Sequence, residues 1–155
     1  MRNRLHILLA FFMLALLLTA CGNKTETLKF VDGNYRVTFD EPDPTNWKAY
    51  LILEIREDKI VSAVFDYEGT GPNTGKKKSE DKAYNEAMLK TTGTSPVVYL
   101  KALTSSLVAS QDPDEVSAVS GATTSSSDFI LFAKEALKSA KSGDNPTIIL
   151  SQPSK

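Results

Sequence analysis

WKAYLILEIREDKIVSAVFDY (Trp47–Tyr67) contains two alternating apolar runs separated by Glu57, Asp58 and Lys59. In Trp47 to Arg56, Leu51, Leu53 and Ile55 fall on one face; in Ile60 to Tyr67, Val61, Ala63, Phe65 and Tyr67 do. Period-two alternation of branched and aromatic residues predicts two half-buried strands, and the short polar break predicts an antiparallel hairpin.

Upstream, Phe30 to Asp40 carries a turn signal, Asp32-Gly33, and a further alternating run. Tyr35, Val37 and Phe39 share one face, with Arg36 and Thr38 on the other. Glu41 to Asn46 holds two prolines and reads as a loop. Downstream, Glu68 to Lys78 (EGTGPNTGKKK) reads as an exposed, solvated loop. Ser79 is expected to open a helix, with Glu80 and Asp81 at the positive end of its dipole. Ala83, Tyr84, Ala87 and Met88 form its apolar stripe, and Gly93 ends it. Ser95-Pro96 caps and starts a second helix that buries Tyr99, Leu100, Leu103 and Leu107 and stops at Asp112-Pro113. A third, Ser125 to Ser142, buries Phe129, Phe132, Ala133, Ala136, Leu137 and Ala140 and terminates at Gly143. Thr147 to Leu150 reads as a short last strand. Strands first and helices later predict an α+β domain with a small, mostly antiparallel sheet and about three helices.

The first 20 of the 155 residues have a different character. Arg2 and Arg4 precede an almost uninterrupted apolar run from Leu5 to Ala20, the pattern of a secretory signal. Leu18-Thr19-Ala20-Cys21 fits a lipobox and resembles bacterial lipoproteins, in which the cysteine is lipidated before cleavage. Residues 21–27 are then the lipidated cysteine and a polar tether, 28–150 the domain and 151–155 a flexible tail.

Removal of the signal takes away the only histidine, His6, and leaves the only cysteine, Cys21, at the mature N-terminus. That composition excludes Ser-His-Asp hydrolysis, Cys-His proteolysis, His-ligated zinc and thioredoxin-type exchange. Lys and Arg fall from 18 to 16 while all 19 Asp and Glu remain, a mature formal charge of −3. The acidic balance argues against nucleic acid as a partner.

The chemistry-bearing stretch is Ser117-Ala-Val-Ser-Gly-Ala-Thr-Thr-Ser-Ser126, directly before the third helix. Its hydroxyls, the flexible Gly121 and the unpaired N–H groups of a helix start make a phosphate-sized anion site. The same letters also read as a plain helix start, with Ser125 as cap, Asp128 completing a box and the serines solvated.

Ser120-Gly121-Ala122-Thr123 resembles the S-G-A-T signature of the FMN-binding domain. This domain occurs in sodium-pumping quinone oxidoreductase subunits and in surface flavoprotein lipoproteins of Gram-positive bacteria. Asp32 to Tyr35, the hairpin ending Lys59-Ile60, Lys78 to Asp81 with Tyr84, and Asp112 to Ser126 carry the likeness over most of the mature chain.

The resemblance implies a single FMN-binding-type domain, held by lipid at Cys21 on the extracellular face of the cell membrane of a Gram-positive host. FMN would be esterified through its phosphate to Thr123 by a flavin transferase, with electrons supplied by a membrane quinol-linked system. The implied cofactor contacts are Ser120, Gly121, Ala122, Thr123, Thr124 and Ser125. Lys78, Ser79, Tyr67, Tyr84, Met88 and Tyr99 are candidates for the ring. Such a protein is a redox carrier more than an enzyme with its own substrate turnover.

Three residues before Ser120, where the family's transferase motif carries Asp, this chain has Ser117. Non-covalent flavin binding therefore stays open beside the ester. A third reading is a cofactor-free surface lipoprotein whose signal peptide yields a pheromone from Leu14 to Ala20.

Overall fold

The computed structural model describes residues 29–144 and 147–153. The signal peptide, Cys21, the tether and the end of the expected tail at 154–155 lie outside the described residues. Strands β1 (Gly33–Phe39), β2 (Trp47–Arg56) and β3 (Lys59–Gly69) come first. Helices α1 (Lys82–Thr92), α2 (Pro96–Ser110) and α3 (Thr123–Ser142) follow, and β4 (Ile148–Leu150) closes the chain. The sheet order is β3-β2-β1-β4. β1–β2 and β2–β3 are antiparallel, while β4 runs parallel to β1. The expected α+β class and mostly antiparallel sheet are therefore correct, with one parallel pairing at the edge.

The hairpin turn is tighter than the three polar residues imply. Only Glu57 (φ 48°) and Asp58 (φ 64°) form it, both left-handed as a type I′ turn requires, and Lys59 already belongs to β3. The pairing then slips. Ile55 faces Ile60 but Glu54 faces Ser62, so Val61 is the extra residue of a β-bulge. The bulge reverses the alternation across it. Ile60, Phe65 and Tyr67 are buried, whereas Val61, expected in the core, is 47% exposed.

α2 packs on β3, and α3 crosses β1 and β2. Between sheet and helices lie Tyr35, Val37, Phe39, Leu51, Leu53 and Ile55 from the strands. Leu103 and Leu107 come from α2, and Phe129, Phe132 and Ala136 from α3. Phe65 and Phe132 meet edge to face, with ring centroids 6.3 Å apart. On the opposite face of the sheet Arg36 lies 4.5 Å over the Tyr50 ring and pairs with Glu68 at 3.0 Å.

α1 departs most from expectation. It begins at Lys82, where Asp81 accepts a hydrogen bond from the Tyr84 N–H; Ser79 does not open it. None of its residues is fully buried: Tyr84 and Met88 are half-buried, and Ala83 and Ala87 are exposed. It forms a side wall at one end of the sheet, so its packed stripe is only two residues wide.

Candidate functional site

Five elements converge on a cleft of about 450 Å³ at the end of the sheet where β2 begins. That volume lies within the roughly 300–1,000 Å³ range of small-molecule sites. Phe39 of β1, Trp47 and Ala49 of β2, and Tyr67 of β3 form its floor. Tyr84 and Met88 of α1 form one wall, and Gly121 to Ser125 at the start of α3 form the other.

The wall at 119–126 is built from local rules. The Ala122 N–H donates to the Val119 carbonyl at 3.0 Å, closing a turn whose third residue, Gly121, has φ 78°. A type II turn requires that left-handed position, which favours glycine. The site also needs glycine for space: a Cβ there would lie 2.6 Å from the Thr92 carbonyl oxygen at the end of α1. Ser126, fully buried, holds the turn beneath the helix. Its Oγ donates to the Ala122 carbonyl at 2.9 Å and accepts from the Val119 N–H at 3.0 Å.

α3 begins at Thr123, two residues before the expected start, with Ala122 at the cap position and no side chain capping it. Ser125 is therefore inside the first turn, and the expected Ser125–Asp128 capping box is not the arrangement at this start. That start sets the positive end of the helix dipole beside the cleft. Thr123 and Thr124 are exposed at the cleft, and Ser125 is half-buried.

Lys78 contradicts the expectation of a solvated loop. It is 5% exposed. Its Nζ lies 4.3 Å from the Tyr67 ring centroid, 4.8 Å from Tyr84 and 5.9 Å from Trp47. The Asp43 Oδ2 is 3.7 Å away. Ring faces and a carboxylate offset the cost of burying the ammonium.

Two neighbours set Lys78 in place. The Ser79 Oγ donates to Asp66 Oδ2 at 2.6 Å and its N–H to Oδ1 at 3.2 Å, tying the 3-10 turn Lys78–Glu80 to β3. The Asn85 side chain donates to the Lys78, Ser79 and Asp81 carbonyls and accepts from the Val97 N–H. Ser79 thus holds the backbone, and neither it nor Ser120 lines the cleft.

Tyr99 is buried behind the cleft, and burial raises its phenol to about 12, with Ser125 and Tyr67 hydrogen bonds pulling the other way. Burial, reinforced by the neighbouring Tyr99, pushes the Tyr67 phenol well above its ordinary value. Both phenols stay protonated at physiological pH.

Of the residues expected from the motif, Gly121, Ala122, Thr123, Thr124, Ser125, Lys78 and Tyr84 meet in one cleft. Sequence reasoning missed Trp47, Asp43, Asp128 and Gln152, which also line it. The signal for Trp47 was present: it is the only tryptophan, and it opens a strand after a proline-rich loop. Gln152 carried no local signal. Its N–H donates to Asp40 Oδ1 at 2.8 Å because β4 brings the end of the chain beside β1.

No protein-family model matches the chain. The crystal structure of the CPE2226 protein from Clostridium perfringens is similar, with a TM-score of 0.74 and 31% identity over 80% of this chain and 99% of that one. The 15 kDa lipoprotein of Treponema pallidum is 32% identical over 136 residues, 88% of this chain and 92% of the relative. That extent of identity, with Cys21 in a lipobox, places this chain in the family of the 15 kDa lipoprotein.

Proposed function

We propose that this lipoprotein carries FMN in the cleft at the start of α3 and passes electrons at the extracellular face of the membrane. The observation that carries the reading is a coincidence of two chemistries in one cavity. The backbone from Gly121 to Ser125, with its uncapped helix start, suits a phosphate, and the Trp47, Tyr67, Tyr84 and Met88 surfaces suit a flat aromatic ring.

In this reading the first-turn N–H groups of α3 orient the phosphate, and Gly121 lets the backbone come close to it. Lys78 offsets negative charge and the aromatic wall excludes water from the ring. Asp43, 3.7 Å from the Lys78 ammonium, also faces the cleft. Bound FMN would supply the electron chemistry itself. Thr123, exposed at the lip, is open to a flavin transferase: its hydroxyl oxygen would bond the FMN phosphorus of FAD, with AMP departing. A membrane quinol-linked system is the proposed electron source.

Intact mass of the protein made together with a flavin transferase tests the ester. The expected result is an FMN-sized increment that disappears in Thr123→Ala. An unmodified mass with no flavin bound overturns the proposal.

Non-covalent binding is the second reading, and a specific observation favours it. Ser117 is exposed and brings no carboxylate to the motif's Asp position, and the nearby Asp114 pairs with Lys134 at 2.5 Å. Denaturation followed by filtration separates the two: flavin that passes the membrane was not bonded to the chain.

A further inference from the structure

The domain has two poles, and the chain enters at one of them. The Val31 N–H donates to the Ala140 carbonyl near the end of α3, at 2.8 Å. The Phe30 N–H donates to Asp58 in the β2–β3 turn at 2.7 Å, and the Glu57 N–H donates to Asp32 at 2.9 Å. Residues 30–32 are thus stitched to the C-terminal end of α3 and the far end of β2. The cleft lies at the other ends of the same elements, at Thr123 and Trp47.

Two independent rulers give the separation. From Thr123 to Ala140, α3 rises about 26 Å at 1.5 Å per residue. From Trp47 to Arg56, β2 advances about 30 Å. Only residues 22–28 lie between Cys21 and the described start of the domain at Lys29. A segment of that length reaches about 27 Å at most. Turning the cleft onto the bilayer would use the whole covalent reach of that segment.

The geometry points to a cleft held at the pole away from the lipid anchor, serving a redox group in the aqueous phase and not one within the bilayer. The inference rests on the anchor at Cys21 and, for the word redox, on the FMN reading. Under that reading a quinol in the bilayer does not reduce the cleft directly: electrons arrive through a group carried into the aqueous phase.

Trp47 lines the cleft and is the only tryptophan, so the protein carries its own reporter. The test uses the lipidated protein in phosphatidylglycerol vesicles with and without a dansyl-labelled lipid, reading energy transfer from tryptophan to the surface. Each efficiency is converted to a distance with that reporter's own donor lifetime in dansyl-free vesicles, which takes any flavin quenching of Trp47 out of the comparison and keeps the orientation result independent of the cofactor. The expected result is transfer from Trp47 several-fold weaker than from a doubly substituted reporter, Val31→Trp with Trp47→Phe; Val31 is half exposed at the anchored pole. Equal or stronger transfer from Trp47 overturns the inference. The unsubstituted protein also decides alone: strong transfer from Trp47 places the cleft against the bilayer.

Discussion

The two ends of α3 are finished in opposite ways. At the C-terminal end Gly143 takes the left-handed cap position (φ 77°), and its N–H donates to the Ser139 carbonyl at 3.0 Å. Val31 packs against it. At the N-terminal end no side chain caps the helix, and exposed hydroxyls crowd its first turn beside a cleft. One end is closed by local chemistry and locked to the entering chain, while the other is left open. The stability of a helix does not require its start to be bare, since the serines and threonines present could have capped it. The uncapped start beside aromatic walls is the feature on which the proposed ligand site rests.

The largest expected effect breaks the open end chemically. Thr123→Ala removes the proposed ester entirely, read as complete loss of the flavin mass increment. Because Thr123 is exposed, its melting temperature should stay close to that of the parent, a change within about 0.5 kcal/mol. Gly121→Ala attacks the same end through the backbone. A Cβ at φ 78° against the Thr92 carbonyl should cost about 2 kcal/mol or more and reduce flavin retention, both measurable by denaturation and absorbance.

Ser126→Ala tests whether the turn and the helix start form one unit. It leaves a Val119 N–H without its acceptor and should cost about 1–3 kcal/mol by chemical denaturation. At the closed end Gly143→Ala should cost about 1 kcal/mol with no effect on the cleft; loss of flavin there would erase the contrast between the ends.

The effect that is silent at neutral pH is a pH dependence from Tyr67 and Tyr99. Their folded-state values lie above 10, so the neutral phenols favour the folded state. That contribution is fully present below pH 10 and is lost as pH rises from about 10 toward 12, because the unfolded chain releases those protons first. Denaturation curves between pH 9 and 12 should show the decline, and Tyr99→Phe should make it shallower.

The legibility of this molecule varied by element. Trp47 to Arg56 was readable to the residue, because its alternation comes from one sheet face against one core. Val61 was misread because a single bulge inverts the phase of alternation without changing composition. α1 looked amphipathic from Ala83, Tyr84, Ala87 and Met88, but alanine has too little side chain to reveal whether it faces core or water. Ser126 resembled any solvated serine in a hydroxyl-rich run, yet it carries two buried hydrogen bonds.

Lys78 is the clearest case. Three consecutive lysines after a glycine-rich loop read as solvent, and nothing within that segment signals burial. Its surroundings come from Trp47, Tyr67 and Tyr84, residues separated by up to 37 positions and united only by the packing of β2, β3 and α1.

By itself, the sequence determined the strand hairpin, the apolar faces of α2 and α3, the glycine stop at 143, the lipobox and the hydroxyl-rich turn before α3. All of these are properties of neighbours along the chain, where periodicity, capping and backbone freedom act. Only the tertiary structure decided that the turn faces an aromatic wall, that Lys78 lies beneath it, and that the entering chain joins the opposite pole. Those facts depend on which surfaces bury one another, and burial is settled by the packing of whole elements, not by the preference of any one segment.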